Sequence, residues 1–393
     1  MQYRIDPQSG NQLSVLGFGL MRLPRGITGI DQEQTTGLLK QAVQAGVNYF
    51  DTAYVYAGSE QAFGKALQAT GLRDSLYLAT KLPHQMVRSA ADLDRIFEEQ
   101  LKRLQTERID YYLIHNLPDL ASWQRLVGLG IEEWISKKKA SGQISQIGFS
   151  FHGKQNDFLE LLDAYAWQFT QIQYNYLDVN YQAGMTGLKA AQQKGLMVVI
   201  MEPLRGGKLA TGLPAAASAV LKNADPNASL ASWAFNWIWD QAEPTVVLSG
   251  MNSAEQLAEN LATADQASVG LLSPEQHKAL DQVIQIIQKS YRIPCTSCSY
   301  CMPCPHGVNI PDCFNAYNTR YSQGLVSGYT QYFSGIRPHQ PERYSGPSKC
   351  QACGACERKC PQNLAIIDSL LEVRKHMEAA WTRPLIAVIG KII

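Results

Sequence analysis

The sequence has no long apolar run, no long basic run and little charge. No stretch reaches the roughly 20 apolar residues that a membrane-spanning helix needs, and the opening segment MQYRIDPQSG shows neither region of a signal peptide. The formal net charge is +1 and charged residues make up 18% of the chain, below the roughly 25% of ordinary domains. These absences predict a cytoplasmic globular protein with no membrane span and no nucleic-acid partner, since binding nucleic acid requires a basic surface.

The chain is long enough for a large domain and a smaller one, because 393 residues exceed what one hydrophobic core usually organises. Short strands rich in Val, Ile and Tyr alternate with amphipathic helical segments. The predicted strands are residues 13–16, 47–50, 76–80, 109–114, 144–149, 170–173, 197–201 and 245–248. This alternation over about 270 residues predicts an α/β fold of the (β/α)8 TIM-barrel type rather than an open doubly wound sheet.

Further signals place the domain boundaries. Residues 1–15, with a turn at 10–11, predict a hairpin across the bottom of the barrel. The sequence Ser-Pro-Glu-Gln at 273–276 is a capping box that opens a helix. We therefore expect a barrel domain at 1–272, a connecting helix at 273–293, and a small, mainly helical, ferredoxin-like iron-sulfur domain at 294–393. The apolar segment 384–393 is too short to span a membrane and is expected to pack on the protein itself.

Eight of the nine cysteines lie in two runs, each followed by proline. The runs are Cys295, Cys298, Cys301 and Cys304, then Cys350, Cys353, Cys356 and Cys360. The second run reads C-x2-C-x2-C-x3-C-P, the spacing by which a tight turn supplies three thiolates to a 4Fe-4S cluster while its fourth cysteine ligates another cluster. Disulfides fit poorly with a chain that shows no secretory leader, and zinc ribbons use C-x2-C pairs a dozen or more residues apart. Iron-sulfur ligation is the favoured interpretation.

The number of clusters stays open at this point, because the fourth cysteine of the first run follows after two residues instead of three. Two 4Fe-4S clusters with crossed ligands are favoured. One would take Cys295, Cys298, Cys301 and Cys360, and the other Cys350, Cys353, Cys356 and Cys304. A single cluster would leave the first run structural or zinc-binding. Cys313 lies outside both runs and is predicted to be a core residue.

Polar residues fall where the predicted strands end, the position at which barrels of this kind place their chemistry. Asp51 and Tyr56 follow the second strand, Lys81 closes the third, and His115 closes the fourth. This pattern resembles the aldo-keto reductase superfamily, over roughly residues 10 to 270. The resemblance implies that Tyr56 is a general acid in carbonyl reduction, with the other three side chains around it.

Elementary chemistry supports those roles. A tyrosine hydroxyl is protonated at pH 7, because its ordinary pKa is about 10, and a nearby lysine ammonium held by a carboxylate lowers that pKa by favouring the phenolate. Lys81 and Asp51 suit these parts, and His115 is a candidate for a hydrogen bond to the substrate oxygen.

The same resemblance implies a nicotinamide cofactor. Ser150 and Gln173 match the positions that hold the carboxamide. Further candidates for cofactor binding are Met201, Pro203, Leu204, Arg205, Gly250, Gln256, Glu259 and Asn260. Arg205 and the glycines after it suit a pyrophosphate. Gly250 and Gln256 stand where many family members carry cations for the ribose 2'-phosphate, so NADP(H) is only weakly favoured and NADH stays open.

The barrel with its cysteine-rich extension resembles a bacterial subfamily of aldo-keto reductases that carry a ferredoxin-type domain. We therefore predict a nicotinamide-dependent reductase of a small carbonyl substrate whose clusters exchange electrons with a carrier such as a ferredoxin. Hydride transfer moves two electrons and each cluster moves one, so structural or oxygen-sensitive clusters remain an alternative. A second alternative is an NADP(H)-binding redox sensor that signals through a partner.

Overall fold

The computed structural model describes residues 1–26, 29–337 and 342–379; the segment 384–393 lies outside them. The chain divides into two compact units. The first unit comprises Met1–Leu204 and Ala231–Ser273, and the second comprises Arg205–Leu230 together with the chain from Pro274 onward.

The first unit is a closed parallel barrel. The strands of the described residues are β1 (Tyr3–Ile5), β2 (Gln12–Ser14), β3 (Leu16–Gly19), β4 (Arg25–Gly26), β5 (Gly29–Ile30), β6 (Tyr49–Asp51), β7 (Tyr77–Leu82), β8 (Ile109–Ile114), β9 (Ile144–Phe151), β10 (Phe169–Gln173), β11 (Met197–Met201) and β12 (Val246–Ser249). The barrel takes β3 and β6 to β12 in chain order, and β12 pairs in parallel with β3 to close it. The predicted (β/α)8 fold is confirmed.

Helices follow the strands as expected. The α-helices of the described residues are α1 (Gln32–Gln44), α2 (Ser59–Thr70), α3 (Ala90–Leu104), α4 (Leu120–Gly128), α5 (Ile131–Ala140), α6 (Gln155–Ala164), α7 (Gly184–Gln193), α8 (Lys208–Thr211), α9 (Ala215–Ala224), α10 (Leu230–Trp239), α11 (Ala254–Asp265), α12 (Pro274–Ser290), α13 (Ile310–Ser322), α14 (Leu325–Ile336) and α15 (Ile366–Met377). Among these described helices, none combines the length and the apolar character that crossing a bilayer demands.

The first barrel strand lies later in the chain than its apolar pattern predicts. Residues 13–16 are the expected strand, but Leu13 belongs to β2, which pairs antiparallel with β1 in the predicted hairpin. Gly10 makes the turn with φ of +74°, a conformation that glycine adopts without steric cost. Leu13 is fully buried among the lower residues of the barrel interior, so its apolar character does not distinguish the hairpin from the barrel.

Aromatic side chains fill the lower part of the barrel. The Tyr111 ring lies 5.3 Å from the ring of Tyr49 and 5.2 Å from that of Phe169, centroid to centroid. Each large apolar side chain buried in this way stabilises the fold by roughly 1.5–3 kcal/mol. Because the interior is packed, chemistry is confined to the ends of the strands.

The second unit is mainly helical. In it α9 packs on α12, and α13 packs on α14 and α15. The predicted helix after residue 273 is present as α12. The segment Arg205–Leu230, which the pattern assigns to the barrel domain, makes its contacts chiefly within this unit; for example, the Tyr291 hydroxyl donates to the carbonyl oxygen of Gly212 over 2.8 Å. The domain boundaries at 272 and 293 stay predictions.

Candidate active site and cysteine cluster

Four predicted side chains come together where β6, β7 and β8 end. Asp51 is the last residue of β6, Lys81 lies one residue before the end of β7, and His115 directly follows β8. Tyr56 closes a turn after β6, where its amide donates to the carbonyl oxygen of Ala53 over 3.0 Å. Parallel barrel strands end at a common rim, which explains why residues 30 or more positions apart in the chain meet here.

Asp51 and Lys81 form a buried ion pair. The Lys81 Nζ lies 2.6 Å from each carboxylate oxygen of Asp51 and 2.7 Å from the carbonyl oxygen of Thr52. Only 1% of Lys81 and 3% of Asp51 are exposed. Burial lowers the pKa of Lys81 and raises the pKa of Asp51, because each charged form loses its hydration, and the pairing opposes both shifts. The three acceptors hold the ammonium in one position.

The ammonium and an imidazole flank the Tyr56 ring. The Lys81 Nζ lies 5.3 Å from the centroid of this ring, and the His115 ring meets it edge-on with centroids 5.9 Å apart. Burial, and then the charge of Lys81, hold the pKa of His115 well below its usual range. His115 is therefore neutral at pH 7 and can donate a hydrogen bond through one ring nitrogen.

Two further histidines lie at the same rim. His84 follows β7 and His152 follows β9, and both interact electrostatically with His115. Burial lowers the pKa of each of them to about 4. The rim thus carries three imidazoles that are uncharged at neutral pH.

A chain of hydrogen bonds orients the predicted carboxamide-binding residue Gln173. Its Nε2 donates to Asp178 over 2.9 Å, and its Oε1 accepts from Gln182 over 2.7 Å. The Oε1 of Gln182 lies 3.1 Å from Nδ1 of His152, and because an amide oxygen only accepts, Nδ1 carries the proton. Asp178 and Gln182 are absent from the sequence-based candidates, since nothing in their spacing marks them. The network settles which way the Gln173 amide points.

Ser150 and Gln171 are positioned by residues that lie elsewhere on the same rim. The backbone amide of Asn116 donates to Ser150 Oγ over 2.8 Å, and Asn116 adopts a φ of +50°. Gln171 is buried and hydrogen-bonds the Asp51 carboxylate. Sequence reasoning missed Gln171, although alternation along a strand puts residues 171 and 173 on one face.

The last residue of β11 and the residues that follow it are divided between the two units. Met201, Pro203 and Leu204 lie in the first unit, and Met201 is half-buried against the barrel interior. Arg205 lies in the second unit, where its guanidinium donates to the carbonyl oxygen of Pro294 over 3.3 Å. Their predicted role in cofactor binding stays a prediction.

The last predicted cofactor residues surround the start of α11. Ser253 caps this helix by accepting from the amide of Gln256 over 3.3 Å. Asn260 is buried and donates to Ser249 Oγ over 3.0 Å, while Glu259 is exposed. The positive end of the helix dipole here suits a phosphate.

Arg22 was not among the sequence-based candidates. Its side chain runs along Gly250, since a Cβ added to this glycine would lie 3.5 Å from Cβ and 3.6 Å from Cδ of Arg22. The sequence shows no cation near position 250, and only folding brings one there, because Arg22 follows β3, the neighbour of β12.

Four cysteines line one cavity in the second unit. Cys295, Cys298 and Cys301 of the first run line it together with Cys360 of the second run. The backbone amide of Ser297 donates a hydrogen bond to Sγ of Cys295 over 3.4 Å. These four thiols are the set that crossed ligation predicts for one 4Fe-4S cluster.

The four cysteines predicted for the second cluster differ in burial. Cys304, Cys350 and Cys356 belong to or pack against the hydrophobic cluster of this unit, and Cys353 is exposed. Among the described residues, no group of three or more His, Cys, Asp or Glu side chains is arranged to hold a single metal ion. Cys313 is fully buried in the same cluster, as predicted.

Comparison with known proteins agrees with this geometry. Residues 15–285 match the model of the aldo/keto reductase family. The chain belongs to the aldo/keto reductase family. Residues 294–365 match a 4Fe-4S dicluster domain, so this family member carries an iron-sulfur domain after its barrel and is an oxidoreductase of the aldo/keto reductase type.

Three similar proteins illustrate the range of this family. L-galactose dehydrogenase of Arabidopsis thaliana is 27% identical over 68% of this chain and 89% of its own length. A structure of an aldo-keto reductase from Klebsiella pneumoniae in complex with NADPH is 25% identical with a TM-score of 0.60, covering 72% of this chain and 95% of its own. A probable voltage-gated potassium channel subunit beta of Oryza sativa is 25% identical over 74% of this chain and 100% of its own.

Proposed function

We propose that this aldo/keto reductase reduces an aldehyde or ketone with NADPH and that Tyr56 protonates the carbonyl oxygen. The observation that carries the proposal is the buried Asp51–Lys81 pair, whose ammonium lies 5.3 Å from the Tyr56 ring centroid. A cation next to a tyrosine favours the phenolate, so the hydroxyl becomes a better proton donor.

Each residue at the rim has one task in this scheme. A nicotinamide held by this rim would supply hydride chemistry for the carbonyl carbon. Tyr56 gives its proton to the carbonyl oxygen, and Lys81 stabilises the phenolate that remains, while Asp51 holds Lys81. His115, neutral because burial lowers its pKa, donates a hydrogen bond that orients the carbonyl oxygen. A neutral imidazole does not compete with Tyr56 as the acid.

The nucleotide would be held by the residues at the later strand ends. Gln173, oriented through Asp178 and Gln182, and Ser150 suit the carboxamide, and the capped start of α11 suits a phosphate. Arg22 beside Gly250 adds a cation, which favours NADPH over NADH more than Gln256 alone would. The solved relative bound to NADPH supports the same choice.

We further propose that the cysteines hold two 4Fe-4S clusters that exchange electrons with a carrier such as a ferredoxin. The cavity lined by Cys295, Cys298, Cys301 and Cys360 supports one of them, because its four thiols come from both runs. The group that they would hold supplies one-electron chemistry.

The substrate class is suggested by one relative, L-galactose dehydrogenase, which is named for a sugar. Three neutral imidazoles at the rim offer hydrogen bonds without a charge, which suits a hydroxylated carbonyl compound better than a carboxylate. A panel of simple aldehydes, sugars and uronic acids would test this choice.

The test of the main proposal compares two tyrosines of one turn. Tyr56→Phe should lower kcat by about 10²–10⁴-fold and leave NADPH binding nearly intact, since only the hydroxyl is lost. Tyr54→Phe is the control, because the Tyr54 hydroxyl donates to Glu99 over 2.6 Å and should keep full turnover. NADPH oxidation under anaerobic conditions measures both. Equal rates in wild type and Tyr56→Phe would remove Tyr56 from the mechanism.

A second candidate function is an NADP(H)-binding redox sensor. The similarity to a potassium channel subunit beta, which is named for its place in an assembly, favours this alternative. A sensor would bind the nucleotide but turn over none of the carbonyl compounds in the panel, and Tyr56→Phe would then change no rate.

A further inference from the structure

A lysine of the second unit lies beside the cavity of the first cysteine set. Lys208 is the first residue of the short helix α8, and its Nζ donates to the carbonyl oxygen of Cys295 over 2.7 Å. It is close enough to interact electrostatically with the thiol groups of both Cys295 and Cys298. The chain separates Lys208 from Cys295 by 87 positions, so the fold alone brings them together.

A second cation anchors the same short segment. The guanidinium of Arg205 donates to the carbonyl oxygen of Pro294 over 3.3 Å, next to the acceptor of Lys208. Arg205 and Lys208, three residues apart, thus donate to two successive carbonyl groups, those of Pro294 and Cys295. The Lys208 ammonium is held in place by the carbonyl oxygen of Cys295.

The cavity itself is largely apolar. Beside the four cysteines it is lined by Ile310, Pro311, Phe314, Leu364 and Ile366, among others. A low-dielectric environment of this kind makes an added negative charge costly unless a cation or a hydrogen-bond donor lies close. The amide of Ser297 on Cys295 Sγ is one such donor, and the ammonium of Lys208 is the nearby cation.

Reduction of a 4Fe-4S cluster adds one electron and therefore one negative charge to the cluster and its thiolates. A fixed cation stabilises the reduced form more than the oxidised form, because the Coulomb attraction grows with the negative charge. Net charge and hydrogen bonds to sulfur are among the factors that set the potentials of such clusters.

We propose that Lys208 raises the reduction potential of the cluster held by Cys295, Cys298, Cys301 and Cys360. Lys208 is a positioning residue in this role, because it acts on the cluster through its charge and ligates nothing. The proposal rests on the cluster assignment made above, so the experiment must first establish that the protein holds iron.

The test is a redox titration of the anaerobically reconstituted full-length protein, followed by low-temperature EPR, with iron and sulfide counted in every sample. Lys208→Met and Lys208→Gln remove the charge, and Lys208→Arg keeps it. Lys222→Met is the matched control, because Lys222 is exposed on α9 of the same unit.

In both neutral variants we expect one reduction wave to move to a lower potential than in the wild type. At a given potential, the ratio of reduced to oxidised cluster should be at least tenfold smaller than in the wild type. A tenfold change equals about 59 mV for one electron. Lys208→Arg should restore the wild-type value, and Lys222→Met should not differ from wild type.

Three other outcomes have separate meanings. Unchanged waves in Lys208→Met and Lys208→Gln, with full iron, would overturn the role of Lys208. Loss of iron from both neutral variants would overturn it in favour of a purely structural role. A wild-type protein that takes up no iron would instead overturn the cluster assignment on which the proposal rests.

Discussion

Both carboxylate oxygens of Asp51 lie 2.6 Å from the Nζ of Lys81, inside a barrel rim where neither residue is exposed by more than 3%. Two buried charges are tolerated here because each compensates the other. This pairing makes the consequences of single and double substitutions very different.

Asp51→Asn should destabilise the protein strongly, by about 3–5 kcal/mol, because it leaves the Lys81 ammonium buried without a counter-charge. Asp51→Asn combined with Lys81→Met should cost less than either Asp51→Asn or Lys81→Met alone, since no charge is then left unpaired. Thermal denaturation of the variants measures their order of stability. A double variant less stable than both single variants would contradict the buried ion pair as the cause. Turnover should be lost in all three.

Stability should fall in mild acid because His84 is buried as a neutral side chain. The unfolded imidazole binds a proton below about pH 6.5, whereas burial lowers the pKa in the folded protein to about 4. The unfolded state therefore binds more protons between these values, and the free energy of unfolding rises with pH across that window.

Replacing His84 tests this dependence. Between pH 4 and 6.5, His84→Gln should reduce the slope of the unfolding free energy against pH by up to about 1.4 kcal/mol per pH unit. The reason is that the unfolded variant binds one proton fewer than the unfolded wild type. His277→Gln is the control, because His277 is exposed on α12. Denaturation midpoints at pH 5 and pH 7 give the comparison, and parallel curves for wild type and His84→Gln would disprove the effect.

Arg22→Gln should weaken binding of NADPH more than binding of NADH. The stem of Arg22 lies along Gly250, in the region where the family resemblance places the ribose 2'-phosphate, and only NADPH carries that phosphate. Fluorescence titration with both nucleotides measures the ratio. Arg25→Gln, a nearby exposed arginine, is the control. An equal loss for both nucleotides would place Arg22 at a group that they share.

Cys360→Ala should remove a cluster whose other ligands lie some 60 residues earlier. If ligands are crossed, Cys304→Ala should likewise damage the cluster of the second run. Iron counting after anaerobic reconstitution should give about eight irons in the wild type. Cys313→Ala is the control, because Cys313 lies outside both runs, and this variant should keep all the irons of the wild type. Half the iron in wild type, with no loss in Cys304→Ala, would exclude two clusters.

Loss of cluster ligands should loosen the chain beyond α12 first, because a bound cluster organises the loops around it. Limited proteolysis of Cys360→Ala should then leave a fragment that ends near Lys289 and still binds nucleotide. Such a fragment keeps the packing of α9 on α12. Nucleotide binding that disappears with the first cut would show that the predicted boundary near residue 293 is wrong.

Much of the site follows from local sequence. Asp51, Lys81 and His115 each lie at or next to the end of a strand, and a closed parallel barrel brings strand ends to one rim, so their meeting is predictable once the strands are recognised. The cysteine spacing likewise indicates iron-sulfur ligation, because only a few residue separations fit the cluster.

Other features depend on contacts between distant segments, which no local pattern encodes. Leu13 is as apolar as a barrel residue yet lies in the hairpin. Arg22 reaches Gly250 because β12 closes on β3, and Asp178 and Gln182 orient Gln173 across a loop. Lys208 lies against Cys295 because Arg205–Leu230 belongs to the second unit. The sequence determined which chemistry is present through strand periodicity and ligand spacing. The tertiary structure decided which side chains support it, since those contacts depend on barrel closure and on helix packing.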